Sequence, residues 1–271
     1  MLLELFDVAR TYTMGGLLSG RRIRAVDGVS FAISAERPEI FTIIGESGSG
    51  KTTLARMILN TVAPTSGRIQ FRGADLTGVR GRRNRLEFMR QVQPIFQNPF
   101  EAFNPLKPVD RYLFMSARHF AGARGSADMA AHAARVLPQV GLTLAEVRGR
   151  FPHELSGGQL QRIAIARALI SAPALIVADE PVSMVDASLR MAIVNLFRAL
   201  RDGLGVSIIY ITHDLATAYY ISDRIIIMRH GRVVEAGEAR AVLDNPQHSY
   251  SQLLKASVLS PDAAGHLGSF E

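Results

Sequence analysis

Short β-rich runs alternating with segments of helical period predict an α/β fold with a mostly parallel sheet. Three observations carry that expectation. Residues 40–44, 174–178, 207–211 and 224–228 read as strands rich in apolar residues. Residues 51–60, 160–170, 189–200 and 215–221 between them read as helices. Strand, helix, strand in repetition requires crossover connections, which is how parallel strands are joined. The third observation is size: 271 residues are enough to bury a core without disulfides, and the chain has no cysteine. That absence excludes a thiol nucleophile and any cysteine-ligated zinc or iron–sulfur centre.

In chain order, Val29, Phe31 and Ile33 alternate with polar or small residues, as in a half-buried strand. Residues 40–44 form a continuous β-rich run that ends at Gly45, and residues 68–72 form a further strand closed by Gly67 and Gly73. From Pro105 to about Arg150 no strand pattern occurs, only Ala-rich helical stretches such as 127–137, read as a helical insertion. The Gly, Ser, Ala and Pro-rich end, 259–271, reads as a frayed tail. No run approaches the ~18 apolar residues of a membrane span, and Glu4 and Asp7 interrupt any signal-peptide pattern. With 31 basic against 24 acidic residues the net charge is +7, which points to polyanionic partners. The basic run Arg80, Arg82, Arg83, Arg85 and Arg90 reads as a solvated face.

Gly45-Glu46-Ser47-Gly48-Ser49-Gly50-Lys51-Thr52, followed by Thr53, fits G-x-x-x-x-G-K-[ST] between an expected strand and an expected helix. Glycines let the backbone wrap an anion, successive N–H groups form an anion nest, and the helix N-terminus adds favourable potential. Lys51 reaches the β- and γ-phosphates and the Thr52 hydroxyl can ligate Mg²⁺. The chain has only three lysines, Lys51, Lys107 and Lys255, so this lysine stands in a sequence that otherwise uses arginine. A compact ammonium fits between phosphates where a planar fork does not.

The strand ending in Asp179-Glu180-Pro181 places two acids at a carboxyl end, where open α/β sheets bind ligands. Asp179 is suited to hold Mg²⁺ and Glu180 to polarise an attacking water. Leu155-Ser156-Gly157-Gly158-Gln159 is a second glycine-rich helix start. One nucleotide does not need two such sites, which points to a dimer where this loop caps the partner's nucleotide.

With these motifs in order and spacing, the chain resembles the nucleotide-binding subunit of an ABC transporter, from about Leu2 to Ala256. The resemblance implies a P-loop NTPase core with an N-terminal antiparallel β subdomain and an inserted helical subdomain. It divides one ATPase domain, 1–258, into a core of 1–97 and 168–245, a helical subdomain of 98–167 and a C-terminal helix of 246–258. It also implies roles. Gln97 would be the glutamine linking metal and water to the permease. Asp186 would communicate across the dimer, His213 would contact the γ-phosphate, and Tyr12 would stack on adenine. ATP and Mg²⁺ are the implied cofactors.

Residues 25–31, 96–105, 152–156 and 245–250 resemble the oligopeptide/dipeptide importer branch. Ser249 replaces its usual proline, Met184-Val185 its usual Ala-Leu, and Thr52 its usual serine. The implied partners are a second ATPase subunit, identical or different, two permeases, and indirectly a solute-binding protein. The chain would sit peripherally on the cytoplasmic face of the inner membrane, with no nucleic acid expected. The competing reading is a soluble ABC ATPase acting on nucleic acid or ribosomes. Such proteins carry coiled coils, zinc-binding cysteines or two cassettes, none of which the sequence contains.

Overall fold

The computed structural model describes residues 1–14 and 21–259; all but the first residue of the expected frayed tail lies outside the described residues. The chain forms two compact units: Met1–Ala35, Glu39–Gly73 and Tyr210–Glu271 in the first, and Glu36–Pro38 with Ala74–Ile209 in the second.

In the first unit, β1 (Leu3–Met14) pairs antiparallel with β2 (Arg21–Ile33) on one side and β4 (Ser66–Phe71) on the other. The expected alternation in β2 holds at Val29 and Ile33, both fully buried, while Phe31 is half-buried and stacks on Phe41 at 4.6 Å. The β1 register slips between Leu5 and Val8, where Asp7 adopts φ 48°. That bulge keeps Leu5 and Val8 both inside.

A second sheet in this unit is built on β3 (Ile40–Ile44), buried at every residue. Such a run suits a strand covered on both faces. β3 is parallel to β8 (Arg224–Arg229), and β8 is antiparallel to β9 (Arg232–Glu238). The β8–β9 hairpin was not expected from the sequence. Its signal is His230-Gly231, with φ 48° and 81°, a turn that needs two left-handed residues. β3 leads into α1 (Lys51–Ile58), which ends two residues earlier than its periodicity suggests. Asn60 at φ 53° stops it, with Asn60 and Thr61 N–H groups donating to Met57 and Arg56 carbonyls.

In the second unit, α2 (Gly81–Gln91) buries only Phe88, so its arginines are solvated as expected. It feeds β5 (Val92–Ile95), a short edge strand whose Pro94 and polar Gln93 hid it from pattern reading. Then come α3 (Asp110–Phe120), α4 (Ser126–Val136) and α5 (Gly157–Leu169). β6 (Leu175–Asp179) runs parallel to β5 and precedes α6 (Ala187–Leu204). The next strand, β7 (Ser207–Thr212), begins in this unit and ends in the first. α7 (Leu215–Ile221), α8 (Ala239–Asp244) and α9 (Ser249–Leu259) follow in the first unit. Among the described residues no helix is long and apolar enough to cross a membrane.

The starts of β3 and β8 are fastened by side chains. The Ile40 N–H donates to Asp223 at 2.8 Å, and the Arg224 guanidinium reaches the Glu39 carboxylate at 3.1 Å. Burial pushes the Glu39 carboxyl above its usual 4.5, and neighbouring Asp223 adds to this, while Arg224 opposes without prevailing. Folded protein therefore holds this proton to higher pH than unfolded chain does, so Glu39 makes stability fall as pH rises above about 4.5. Glu39→Gln is expected to gain stability relative to the parent as pH rises from 4.5 to 7, read from urea midpoints. A relative loss over that interval would contradict this balance of burial and pairing.

Candidate functional site

In the first unit the phosphate loop grows out of β3. A Cβ at Gly45 would strike the Met228 carbonyl of β8, so only glycine lets the chain leave the sheet there. Gly50 caps α1 at φ 104°, where a Cβ would strike the Ala25 carbonyl. Gly231 of the β8–β9 turn donates to Ser49 O at 3.0 Å and accepts from Asp27 N at 2.8 Å, tying loop, turn and β2 together. Asp27 is itself held by Arg232 at 2.6 Å and Arg24 at 2.8 Å, which keep its carboxyl below the usual range.

The α1 geometry leaves the N–H groups of Lys51, Thr52 and Thr53 without acceptors inside the helix, and no acid occupies its first turn. Lys51 is 6% exposed, and its ammonium donates to Gly45 O at 2.6 Å and Glu46 O at 2.8 Å. Ser49 is buried and its hydroxyl has no hydrogen-bond partner among the described residues. A buried nest of donors with a cation inside fits phosphate oxygens.

Tyr12 lies half-buried on β1 with the Arg10 guanidinium 4.7 Å from its ring centroid. His213 is exposed directly after β7. Its flanks are fixed: Thr212 Oγ1 accepts from Asp214 N at 3.0 Å, and Asp214 caps α7 by accepting from Ala216 N at 2.9 Å.

The second unit holds the acids, Gln97, Asp186 and the second glycine-rich loop. β5 and β6 pair in parallel with Ile95 opposite Ala178. Two residues on, Gln97 and Glu180 meet, and Gln97 Nε2 donates to Glu180 Oε2 at 3.1 Å. Glu180 sits at φ 46°, a left-handed conformation costly for a glutamate, and its carbonyl accepts from Ser183 N at 3.2 Å and Ser183 Oγ at 3.0 Å. Those bonds hold the turn that aims the carboxylate. Asp179 ends β6, half-buried.

Ser156 caps α5 in a reciprocal box with Gln159: its hydroxyl accepts from Gln159 N at 3.2 Å, and Gln159 Oε1 accepts from Ser156 N at 2.9 Å. No acid neutralises this helix start either. A Cβ on Gly157 would sit 3.4 Å from Met184 O, so this loop packs against the one that carries Asp186. Asp186 is exposed at the start of α6.

Thr52, Gln97 and Asp179 are hard oxygen donors of the kind Mg²⁺ takes. Among the described residues no group of three or more His, Asp or Glu could hold a metal ion. Sequence reasoning missed three contributors: Arg10 beside Tyr12, Gly231 on the phosphate loop, and Tyr250, whose hydroxyl accepts from Glu46 N at 3.0 Å.

Residues 26–183 match the family model described as ABC transporter. A Brucella ovis protein provisionally named a peptide import ATP-binding protein is 41% identical over 240 residues, 89% of this chain and 74% of that protein. The oligopeptide transport ATP-binding protein OppF of Salmonella typhimurium is 39% identical over 242 residues, 89% of this chain and 71% of that one. Among solved structures, the dimeric post-hydrolysis state of the ATP-binding cassette MJ0796 bound to ADP and Pi is similar. It has a TM-score of 0.77, 28% identity, and covers 88% of this chain and 99% of that one. The chain belongs to the ABC transporter family, as one of its ATPase subunits.

Proposed function

We propose that this chain is the ATP-hydrolysing motor of an import system, coupling hydrolysis to uptake of a small, oligopeptide-like solute. The observation that carries the hydrolytic reading is the Gln97–Glu180 pair: a carboxylate held at the sheet's carboxyl edge by an amide that can also touch water. The solute class rests on the peptide-transport names of the relatives.

In this reading the Gly45–Thr53 amides cradle the phosphates, and Lys51 exchanges its two loop carbonyls for β- and γ-phosphate oxygens. A phosphate oxygen also satisfies the buried Ser49 hydroxyl. Tyr12 offers a ring face to adenine. Thr52, Asp179 and Gln97 are the residues that would hold Mg²⁺, which when bound would neutralise phosphate charge. Glu180 takes a proton from the attacking water as its oxygen bonds to the γ-phosphorus and the bond to ADP breaks. His213 steadies the γ-phosphate. Ser156, Gly157, Gly158 and Gln159 cap the γ-phosphate of a second subunit's nucleotide, and Asp186 reports across that interface.

The partners are therefore a second ATPase, identical or paralogous, two permeases and indirectly a solute-binding protein. The chain docks peripherally at the cytoplasmic face of the inner membrane. Residues 98–167 serve as the helical subdomain that presents the second glycine-rich loop.

Glu180→Gln is expected to keep ATP binding and lose turnover by roughly 10²–10⁴-fold, measured as phosphate release; unchanged turnover removes Glu180 from the reaction. Lys51→Ala is expected to weaken ATP binding on the order of tenfold to a hundredfold by calorimetry, as loss of charge-assisted bonds requires. Affinity purification from gently solubilised membranes is expected to recover two permeases. Recovery only from the soluble fraction with ribosomes or nucleic acid would overturn the import reading while leaving the ATPase.

A further inference from the structure

The contact between the C-terminal helix and the phosphate loop is not part of the machinery above. Tyr250, in the first turn of α9, is 4% exposed. Its ring packs in a cluster with Ile44, the residue before Gly45, and with Leu215 and Ala218 of α7, the helix after His213. The Arg229 guanidinium lies 4.8 Å from its ring centroid. The approach to α9 is equally fixed. The Glu235 carboxylate accepts from Gln247 N at 2.8 Å and His248 N at 3.1 Å. Tyr250 N donates to His248 Nδ1 at 3.1 Å. Backbone, ring and cation hold the side chain in place, and its hydroxyl accepts from Glu46 N at 3.0 Å. Burial pushes the Tyr250 hydroxyl above its usual range, so it stays protonated.

Glu46 is therefore held at both ends, its N–H by Tyr250 and its carbonyl by Lys51 at 2.8 Å. The two grips differ in fate. On the site reading above, Lys51 moves to the phosphates when nucleotide arrives and releases the carbonyl. The Tyr250 bond is made from outside the loop, by a side chain that the move of Lys51 does not touch.

We propose that Tyr250 is a positioning residue for the phosphate loop, holding the Glu46 amide so that nucleotide meets a loop already in its binding shape. The inference rests on the nucleotide reading of residues 45–53. It assigns to the segment that ends at Tyr250 a part in setting nucleotide affinity.

Tyr250→Phe tests it, since the ring, its cluster and the Arg229 contact all survive. The variant is expected to bind ATP about fivefold more weakly by calorimetry, the effect of one net hydrogen bond. The KM for ATP should rise by a similar factor with kcat unchanged, and the melting temperature should stay within a few degrees. Amide hydrogen exchange in the peptide containing Glu46 should accelerate. Leu254→Ala, which loosens α9 packing against the same cluster, is the structural control, expected to lower the melting temperature without that loss of affinity. Wild-type affinity in Tyr250→Phe, or an equal loss in Leu254→Ala, would overturn the inference alone. Wild-type protein that bound no nucleotide would overturn the reading of the loop and this inference with it.

Discussion

A phosphate nest needs backbone N–H groups that secondary structure has not consumed, held inside the protein where water cannot take them. Every feature around residues 45–53 serves that constraint. β3 is buried at all five residues, so its end is placed by the core rather than by the loop. The chain must then leave the sheet against the Met228 carbonyl and enter a helix against the Ala25 carbonyl, and glycine stands at both points. The β8–β9 turn closes the far side through Gly231 and Ser49. Removing a Cβ at two sites costs chain entropy, and the fully buried strand beside them offsets it.

The acid half obeys a different rule, that of register. In parallel strands a residue pair is fixed once any other pair is fixed, so the Ile95–Ala178 pair brings both strands to their carboxyl ends side by side, and Gln97 and Glu180 meet two residues further on. Beyond the last paired residue the chain is no longer held by the ladder. Glu180 then takes a left-handed backbone, and Ser183 bonds its carbonyl from two atoms. The strain stays local because those bonds and the strand before it over-determine the turn.

These two rules explain which parts were legible in the sequence. The nest is a local device, so Gly45, Gly50, Lys51 and the helix after them announce it in one stretch of chain. The buried strands are equally plain, because continuous Ile and Val runs have few other uses. The capping box of Ser156 and Gln159 is also local, and its spacing is visible. The Gln97–Glu180 contact spans 83 residues and exists only through the pairing of β5 with β6. β5 itself, carrying Gln93 and Pro94, lacks the pattern of a strand. The β8–β9 hairpin was missed for another reason: His230 is not a usual left-handed residue, so the turn hides in a histidine. The end of α1 followed from Asn60, a residue type that tolerates that conformation, but periodicity alone ran past it.

Lys51 shows how the loop holds its own shape. An ammonium buried without partners would be costly, and here two loop carbonyls supply them at 2.6 and 2.8 Å. Those carbonyls belong to Gly45 and Glu46, the residues whose position decides where the nest opens. Lys51 is therefore the loop's internal tie, and in the proposed reading the same ammonium serves the phosphates. In that reading binding exchanges two existing bonds for bonds to phosphate, so affinity reflects a difference rather than the gross strength of the phosphate contacts. The smaller the rearrangement that accompanies this exchange, the more of that difference appears as binding. A loop tied to β2, to the β8–β9 turn and to the C-terminal helix is built to rearrange little, which is the physical sense in which elements far from residues 45–53 in sequence belong to the site.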